Sequence, residues 1–180
     1  METTIKATHN SGTGESSQNL LRMLAVPFSR CQSKTIATQY SEGVRLFDIR
    51  VDDDNRICHG LWKSGRTLMD VLNDICVLDI CCEPVHFIIT YEGKLTEREK
   101  RKFKWRVMDE FRNRPSWMIV DSINVKLPTW ETIRQGKDPI VYNQTYTKIQ
   151  GWKVLLPIPY LWHLIEKFDT SEGVCMVDFI

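Results

Sequence analysis

Two histidines, an arginine and an aspartate in the first third of the chain have the types and spacing that suit catalysis: His9, Asp48, Arg50 and His59. Histidine titrates at about pH 6.5, so one imidazole can accept a proton while the other donates one. The planar guanidinium of Arg50 can stabilise negative charge on phosphoryl oxygens. This set would suit cleavage of a phosphodiester, in which a neighbouring hydroxyl loses a proton and the leaving oxygen gains one.

The sequence also predicts the elements that hold these residues. A short strand, Ile5–Thr8, runs into a loop of glycines and small polar residues that begins with His9. The segment VRLFDIRV, at Val44–Val51, alternates with the period of a β-strand. Asp48 and Arg50 therefore share one face of that strand.

The second histidine follows a short connection. Asp52–Asn55 has the composition of a turn and is too short for the crossover that parallel strands require. We therefore expect the arm Arg56–His59 to be a loop or an irregular strand.

The remaining sequence alternates predicted helices and strands. Apolar spacing, proline stops and a capping box at Thr96 and Glu99 predict helices at Gln18–Val26, Lys34–Ser41, Thr67–Cys81, Glu97–Asn113 and Tyr160–Phe168. Further strands are predicted at Val85–Tyr91, Trp117–Ile123, Ile140–Tyr142, Lys153–Pro157 and Val174–Ile180. Eight strands with interleaved helices indicate an α/β fold, namely a compressed TIM-type (β/α) barrel in a single domain, residues 1–180. Such barrels usually take about 250 residues.

Composition limits the partners. Hydrophobic residues make up 42% and charged residues 26%, which is typical of a globular domain. The net charge of +1 provides no global field for nucleic acid, so no nucleic-acid partner is expected. No transmembrane segment is expected, because no uncharged apolar stretch approaches about 18 residues. Met1–Thr8 contains no apolar run typical of a signal peptide, which favours a cytoplasmic location.

The six cysteines lack the paired spacing of a zinc site. Four of them lie in apolar runs, where a thiol packs as a small hydrophobe. We expect free thiols and a reducing compartment. The four are Cys76, Cys81, Cys82 and Cys175.

Three segments carry a resemblance to a known family. THNSGT at residues 8–13, GVRLFDIR at 43–50 and CHG at 58–60 occur in an order and at separations that resemble the catalytic X domain of phosphatidylinositol-specific phospholipase C. A looser resemblance continues through Phe87–Gly93 to Val174–Phe179.

The resemblance implies a reaction and a role for each residue. His9 would be the general base on the inositol 2-hydroxyl, and His59 the general acid toward the diacylglycerol oxygen. Asp178 would orient His9, and Asp48 would help hold Arg50 and the second histidine. The implied substrate is a phosphoinositide or a related inositol phosphodiester met at a peripheral membrane surface, and the product is a cyclic inositol phosphate.

The family divides by its source of positive charge. Arg50 stands where calcium-binding members carry an acid, which implies no metal cofactor, with Asn10 and Glu92 as substrate-binding residues. Asn10 and Glu92 also resemble calcium-branch ligands, so the alternative is a calcium ion held by Asn10, Asp48 and Glu92.

Two other functions stay open. The short length and Asn10 motivate a catalytically weak or inactive barrel that binds anionic headgroups. A glycerophosphodiester phosphodiesterase would have a similar barrel but would need a metal held by several acids.

Other conspicuous residues receive simpler interpretations. We expect His86 and His163 to pack in apolar surroundings, Arg98–Lys104 to form a solvated face, and the tryptophans at 62, 117, 130, 152 and 162 to favour the core. Possible contacts to the inositol ring are Tyr142, Tyr146, Trp152 and Lys153.

Overall fold

A computed structural model describes residues 5–8, 11–15, 32–59, 62–78, 83–93, 95–125 and 174–177. These residues form a mixed α/β arrangement in which one sheet is covered by helices. The strands are β1 (Ile5–Thr8), β2 (Leu46–Val51), β3 (Arg56–His59), β4 (Trp62–Thr67), β5 (Val85–Tyr91), β6 (Met118–Asn124) and β7 (Val174–Val177). The α-helices are α1 (Ile36–Ser41), α2 (Leu68–Leu78) and α3 (Glu97–Arg112), and a short 3₁₀ helix spans Ser11–Gly14.

Five of the strands are parallel. β1 pairs with β2 and with β7, and β5 pairs with β2 and with β6. Since β5 runs along all of β2, from Leu46 to Val51, β1 and β3 share the opposite edge of β2. The parallel order is therefore β7-β1-β2-β5-β6, with the last described strand beside the first.

The sheet is not closed in the part of the chain that the structure describes. No pairing joins β6 to β7 among these residues, so the closed barrel expected from the sequence is not confirmed. The strands predicted at 140–142 and 153–157, and the helices predicted at 18–26 and 160–168, lie outside the described residues.

β3 and β4 form an antiparallel arm on β2. Val51 pairs with Ile57, and β3 pairs in turn with β4. The turn between β2 and β3 includes Asn55 at φ 56°, a left-handed conformation that asparagine tolerates better than most residues. Of the two alternatives expected at 56–59, a loop or an irregular strand, the structure has the strand, and its register with β4 shifts between Arg56 and Cys58.

The main core lies between the sheet and the three helices. The sheet contributes alternate residues of two strands, all fully buried: Phe47 and Ile49 of β2, and Phe87 and Ile89 of β5. The helices contribute Ile36, Leu72 and Ile75, and Phe103, Val107 and Phe111. Each such side chain stabilises the fold by about 1.5–3 kcal/mol when fully buried. The core thus fixes which face of each strand is turned away from the helices.

Of the five predicted helices, the three that fall on described residues begin within two residues of their predicted starts. α3 begins with the predicted capping box, in which Thr96 Oγ1 accepts from Glu99 N–H and the Glu99 carboxylate accepts from Thr96 N–H. α1 begins after Thr35, which caps Thr38 N–H. No helix among the described residues is long and apolar enough to cross a membrane.

The structure describes the side chains of two cysteines. Cys58 and Cys76 are free, as expected. Cys31, Cys81 and Cys82 lie outside the described residues.

Candidate active site

The carboxyl ends of the five parallel strands meet at one edge of the sheet. At this edge Thr8 of β1 is the register partner of Val177 of β7. The residues that follow them in sequence, His9 and Asp178, lie outside the described residues. Sites in α/β folds are built at this edge, because loops after several strands converge there.

Asp48 and Arg50 lie on the face of β2 that is turned away from the helices. The neighbouring apolar residues on this face are Ala7, Leu46 and Ile88, which form a second, smaller core cluster. Asp48 is the register partner of Ile88, and Arg50 that of Thr90, so the shared face predicted from alternation is confirmed. Asp48 is buried.

Arg50 faces Glu92, which directly follows β5. The distance from Arg50 Nη1 to Glu92 Oε1 is 3.9 Å, and the two side chains are only 12% and 14% exposed. This distance allows electrostatic attraction without a hydrogen bond. Glu92 partly neutralises a guanidinium that is largely removed from water, which lowers the cost of burying the cation.

Cys58, on the strand β3 that ends at His59, contacts Glu92. Cys58 Sγ lies 3.8 Å from Glu92 Oε2, close enough for a weak S–H donor. Burial, followed by the charges of Glu92 and Asp52, raises the pKa of the Cys58 thiol, so it stays protonated. His59 is the next residue, half-buried, and pairs in register with the buried Trp62 of β4. The structure therefore brings Arg50, Glu92 and the His59 strand together.

An ion pair braces the base of the arm. Lys63 Nζ lies 2.5 Å from Asp52 Oδ2. Burial alone would raise the pKa of Asp52, but hydrogen bonds from Lys63 and from the N–H groups of Asp54 and Arg56 hold it below the ordinary value. Asp52 thus stays ionised and fixes the turn between β2 and β3.

A second bond fastens the same turn to the sheet. Tyr91 Oη donates to Asp53 Oδ1 at 2.6 Å, and burial, with this bond, raises the pKa of Tyr91 to about 12. Arg106 of α3 donates to the backbone carbonyl of Asp53. The arm is therefore tied to β5 and α3 at its base.

The glycine-rich loop after β1 packs directly against the arm. A Cβ added to Gly12 would lie 2.2 Å from Ile57 Cγ2. A Cβ on Gly14 would lie 1.8 Å from the carbonyl oxygen of Lys34. Both positions need glycine because of close approach, and Gly12 brings the loop that follows His9 in sequence against β3.

The far end of this loop is held by a buried carboxylate. Glu15 Oε1 accepts from Ile36 N–H at 2.9 Å, at the first residue of α1. Glu15 Oε2 lies 3.4 Å from Arg66 Nη1, which also pairs with Asp74 at 2.7 Å. The hydrogen bond to Asp74 is the largest cause of the raised pKa of Arg66.

Four of the seven predicted site residues are described: Asp48, Arg50, His59 and Glu92. His9, Asn10 and Asp178 lie outside the described residues, as do the possible ring contacts at 142, 146, 152 and 153. Sequence reasoning missed Asp52, Lys63 and the placement of Cys58 beside Glu92. The acidic run at 52–54 and the CHG motif were visible signals, but their contacts depend on the arm.

His86 does not have the expected apolar surroundings. Its Nδ1 lies 3.0 Å from both carboxylate oxygens of Asp121, and both side chains are partly exposed. Asp121 reaches this position at the irregularity in the β5–β6 register. His86 is at the start of β5, at the opposite end of the strand from Glu92.

Two members of the alternative calcium set, Asp48 and Glu92, lie among the described residues. No group of three His, Cys, Asp or Glu side chains among them is arranged to hold a metal ion. The Arg50 guanidinium beside Glu92 would also repel a cation there. Asn10, the third member of the alternative set, lies outside the described residues.

Comparison with known proteins gives a shared fold. The phosphatidylinositol-specific phospholipase C of Listeria monocytogenes aligns with a TM-score of 0.57 and 13% identity, over 98% of this chain and 88% of that one. The Staphylococcus aureus enzyme aligns with a TM-score of 0.47 and 22% identity, over 62% of this chain and 40% of that one. No family model and no curated protein matches the sequence. The likeness to the Listeria structure is one of fold, of the phosphatidylinositol phospholipase C type.

Proposed function

We propose that this chain is a phosphodiesterase that cleaves phosphoinositides through a cyclic inositol phosphate. The observation that carries the proposal is the largely buried Arg50 guanidinium at the carboxyl end of β2, beside Glu92 and the strand that ends in His59. A cation held largely out of water suits an anionic phosphoryl group, because electrostatic interactions strengthen where water is excluded. The fold shared with the Listeria phospholipase supports the same assignment.

In the proposed reaction His9 takes the proton of the inositol 2-hydroxyl. The 2-oxygen then forms a bond to phosphorus, and the bond from phosphorus to the diacylglycerol oxygen breaks. His59 protonates that leaving oxygen. Asp178 holds His9 in the required orientation, as carboxylates do in other catalytic triads. The register pairing of Thr8 with Val177 supports this partnership, since His9 and Asp178 follow those two residues in sequence.

Arg50 would stabilise the charge that gathers on the phosphoryl oxygens, in place of calcium. Asp48, buried on the same face of β2, would help hold the arginine and His59. Asn10 and Glu92 would contact the headgroup. The location of Glu92 supports this proposal, because it follows β5 at the same edge of the sheet and lies beside Arg50.

A membrane partner is proposed on the outer face of α3. Trp105 and Met108 are 62% and 52% exposed on this helix, although apolar side chains of this size usually pack inward. The Arg112 guanidinium lies 6.0 Å from the Trp105 ring, and Lys104 and Arg106 flank Trp105 in sequence. An exposed aromatic ring among basic residues suits the surface of a bilayer with anionic lipids.

The test is turnover of phosphatidylinositol in mixed micelles by purified protein, compared with His9→Ala, His59→Ala and His86→Ala variants. Loss of either proposed acid–base residue should reduce kcat by roughly 10²–10⁴-fold. His86→Ala is the matched control, because Glu92 lies six positions further along the chain, about 20 Å away along an extended strand. Equal loss in all three variants, or none in any, would contradict the proposal.

A further inference from the structure

The two residues that flank the His9–Asn10 dipeptide are joined by their own side chains. Ser11 Oγ donates to the backbone carbonyl of Thr8 at 2.7 Å, and the two hydroxyl oxygens lie 2.9 Å apart. Both residues are fully buried. The chain is therefore pinned immediately before and immediately after this dipeptide.

Gln39 of α1 binds both of these residues. Its Oε1 accepts from the Thr8 hydroxyl at 2.7 Å, and its Nε2 donates to the backbone carbonyl of Ser11 at 2.8 Å. The second hydrogen on Nε2 goes to the carbonyl of Lys34 at 2.7 Å. Because carbonyl oxygens only accept, the amide nitrogen must face Ser11 and Lys34, which leaves Oε1 for Thr8.

The amide of Gln39 is attached to a rigid support. Its side chain is fully buried, and the neighbouring Ile36 of α1 packs in the main core. The carboxylate of Glu15 accepts from Ile36 N–H and so ties the end of the same loop to the same helix. Movement of Thr8 or Ser11 would therefore break bonds to a helix that is itself held by the core.

We infer that Gln39 is a positioning residue, which sets the placement of the proposed base His9 by clamping Thr8 and Ser11. The inference rests on the proposed function and deepens it. Gln39 acts through the loop and does not touch substrate, so its loss should lower kcat and leave KM nearly unchanged. A displacement of about 1 Å at a reacting group costs roughly 10²-fold in rate.

The experiment compares Gln39→Leu, which removes all three bonds, with Ile36→Val, a buried change in the same helix that leaves the clamp intact. Gln39→Leu should lower kcat on phosphatidylinositol by about 10²-fold. Ile36→Val should lower the melting temperature without lowering kcat. Wild-type kcat in Gln39→Leu, or a comparable fall in both variants, would overturn the inference.

Thr8→Val provides a gentler test if Gln39→Leu does not fold, since it removes one hydroxyl and keeps the shape of the side chain. It should lower kcat by a smaller factor than Gln39→Leu. The double variant should lose less than the product of the two single effects, because both changes remove the same hydrogen bond. Independent, multiplicative effects would count against a shared clamp.

The side-chain NMR signal of His9, identified by its disappearance in His9→Gln, separates this inference from the proposed function. If the wild-type protein showed no turnover, the proposed function would be refuted. The NMR signal would still test whether the Gln39 bonds to Thr8 and Ser11 set the environment of His9. The ¹H–¹³C imidazole signal should shift or broaden in Gln39→Leu and in Thr8→Val but not in Ile36→Val. An unchanged signal in the two clamp variants would overturn the inference.

Discussion

Gly12→Ala tests whether the loop after β1 and the arm carrying His59 are mechanically joined. A Cβ at this position would lie 2.2 Å from Ile57 Cγ2. Carbon atoms pack favourably at about 3.5–4.0 Å, so the loop or β3 would have to move by about 1.3 Å. Ile57 is fully buried and precedes the Cys58–His59 pair, so it has little room to yield.

We expect this variant to lose stability and activity together. Overpacking of this kind costs roughly 1–3 kcal/mol. A shift of about 1 Å between the two proposed catalytic histidines should lower kcat by roughly 10²-fold. Circular dichroism melting and turnover of phosphatidylinositol in mixed micelles measure the two effects.

The matched control is Gly43→Ala. Gly43 has nothing within 4 Å of an added Cβ, but its φ of +90° strains any other residue. This variant should lose stability and keep the wild-type kcat, because Gly43 lies in the turn between α1 and β2.

Ile57→Ala should relieve the contact. Alone it should cost roughly 2–5 kcal/mol by leaving a cavity. In the Ile57→Ala background, Gly12→Ala should cause little further loss of stability. The double variant should therefore be more stable than the sum of the two single losses in unfolding free energy would give. A Gly12→Ala protein with wild-type melting temperature and kcat, or the same penalty in both backgrounds, would refute the contact.

Three further predictions concern separate parts of the molecule. Arg50→Lys should lower kcat by about two to three orders of magnitude, because an ammonium cannot form the bidentate fork; kcat near the wild-type value would remove Arg50 from the charge-stabilising role. Because the pKa of Asp52 is lowered in the folded protein, its carboxylate stabilises the fold at pH values above its ordinary pKa of 3.8. This stabilisation is lost as the pH falls through the lower pKa of the folded state. The stability difference between wild type and Asp52→Asn, measured by denaturant unfolding, should therefore shrink toward acid pH, and a constant difference would contradict the assigned cause. Trp105→Ala should weaken co-sedimentation with vesicles containing phosphatidylglycerol and leave turnover of a soluble inositol phosphodiester unchanged, whereas undiminished sedimentation would exclude this face of α3.

Strand alternation was sufficient to predict the shared face of Asp48 and Arg50. Within the strand Leu46–Val51, the residues Phe47, Ile49 and Val51 belong to the main core. Leu46 belongs to the second cluster, so Asp48 and Arg50, which alternate with the core residues, face the same side as Leu46. The capping box at Thr96 and Glu99 was predictable for a similar reason, because it depends on residues three apart in one chain segment.

β4 was missed because its sequence gives little apolar signal. WKSGRT contains one large apolar residue, Trp62, and the strand forms through pairing with β3. The Asp52–Lys63 pair depends on that same hairpin. Neither contact is encoded in a local period of the sequence.

The contacts of Glu92 and His86 could not be predicted from the sequence around each residue. VHFIITY predicted a buried strand correctly, but the residues at its two ends depend on neighbouring strands. Glu92 meets Arg50 through the parallel register of β2 and β5, and His86 meets Asp121 at the irregularity in β6. Register between distant segments therefore decides which polar groups meet.

The decisive measurement of the proposed activity is phosphorus NMR of phosphatidylinositol incubated with the purified protein, with and without a chelator. We expect a cyclic inositol phosphate signal to appear at the same rate in both samples and to be absent with His59→Ala. Loss of the signal in chelator with recovery in calcium would transfer the charge-stabilising role from Arg50 to a metal. An unchanged phosphatidylinositol signal in both wild-type samples would refute the proposed phosphodiesterase activity.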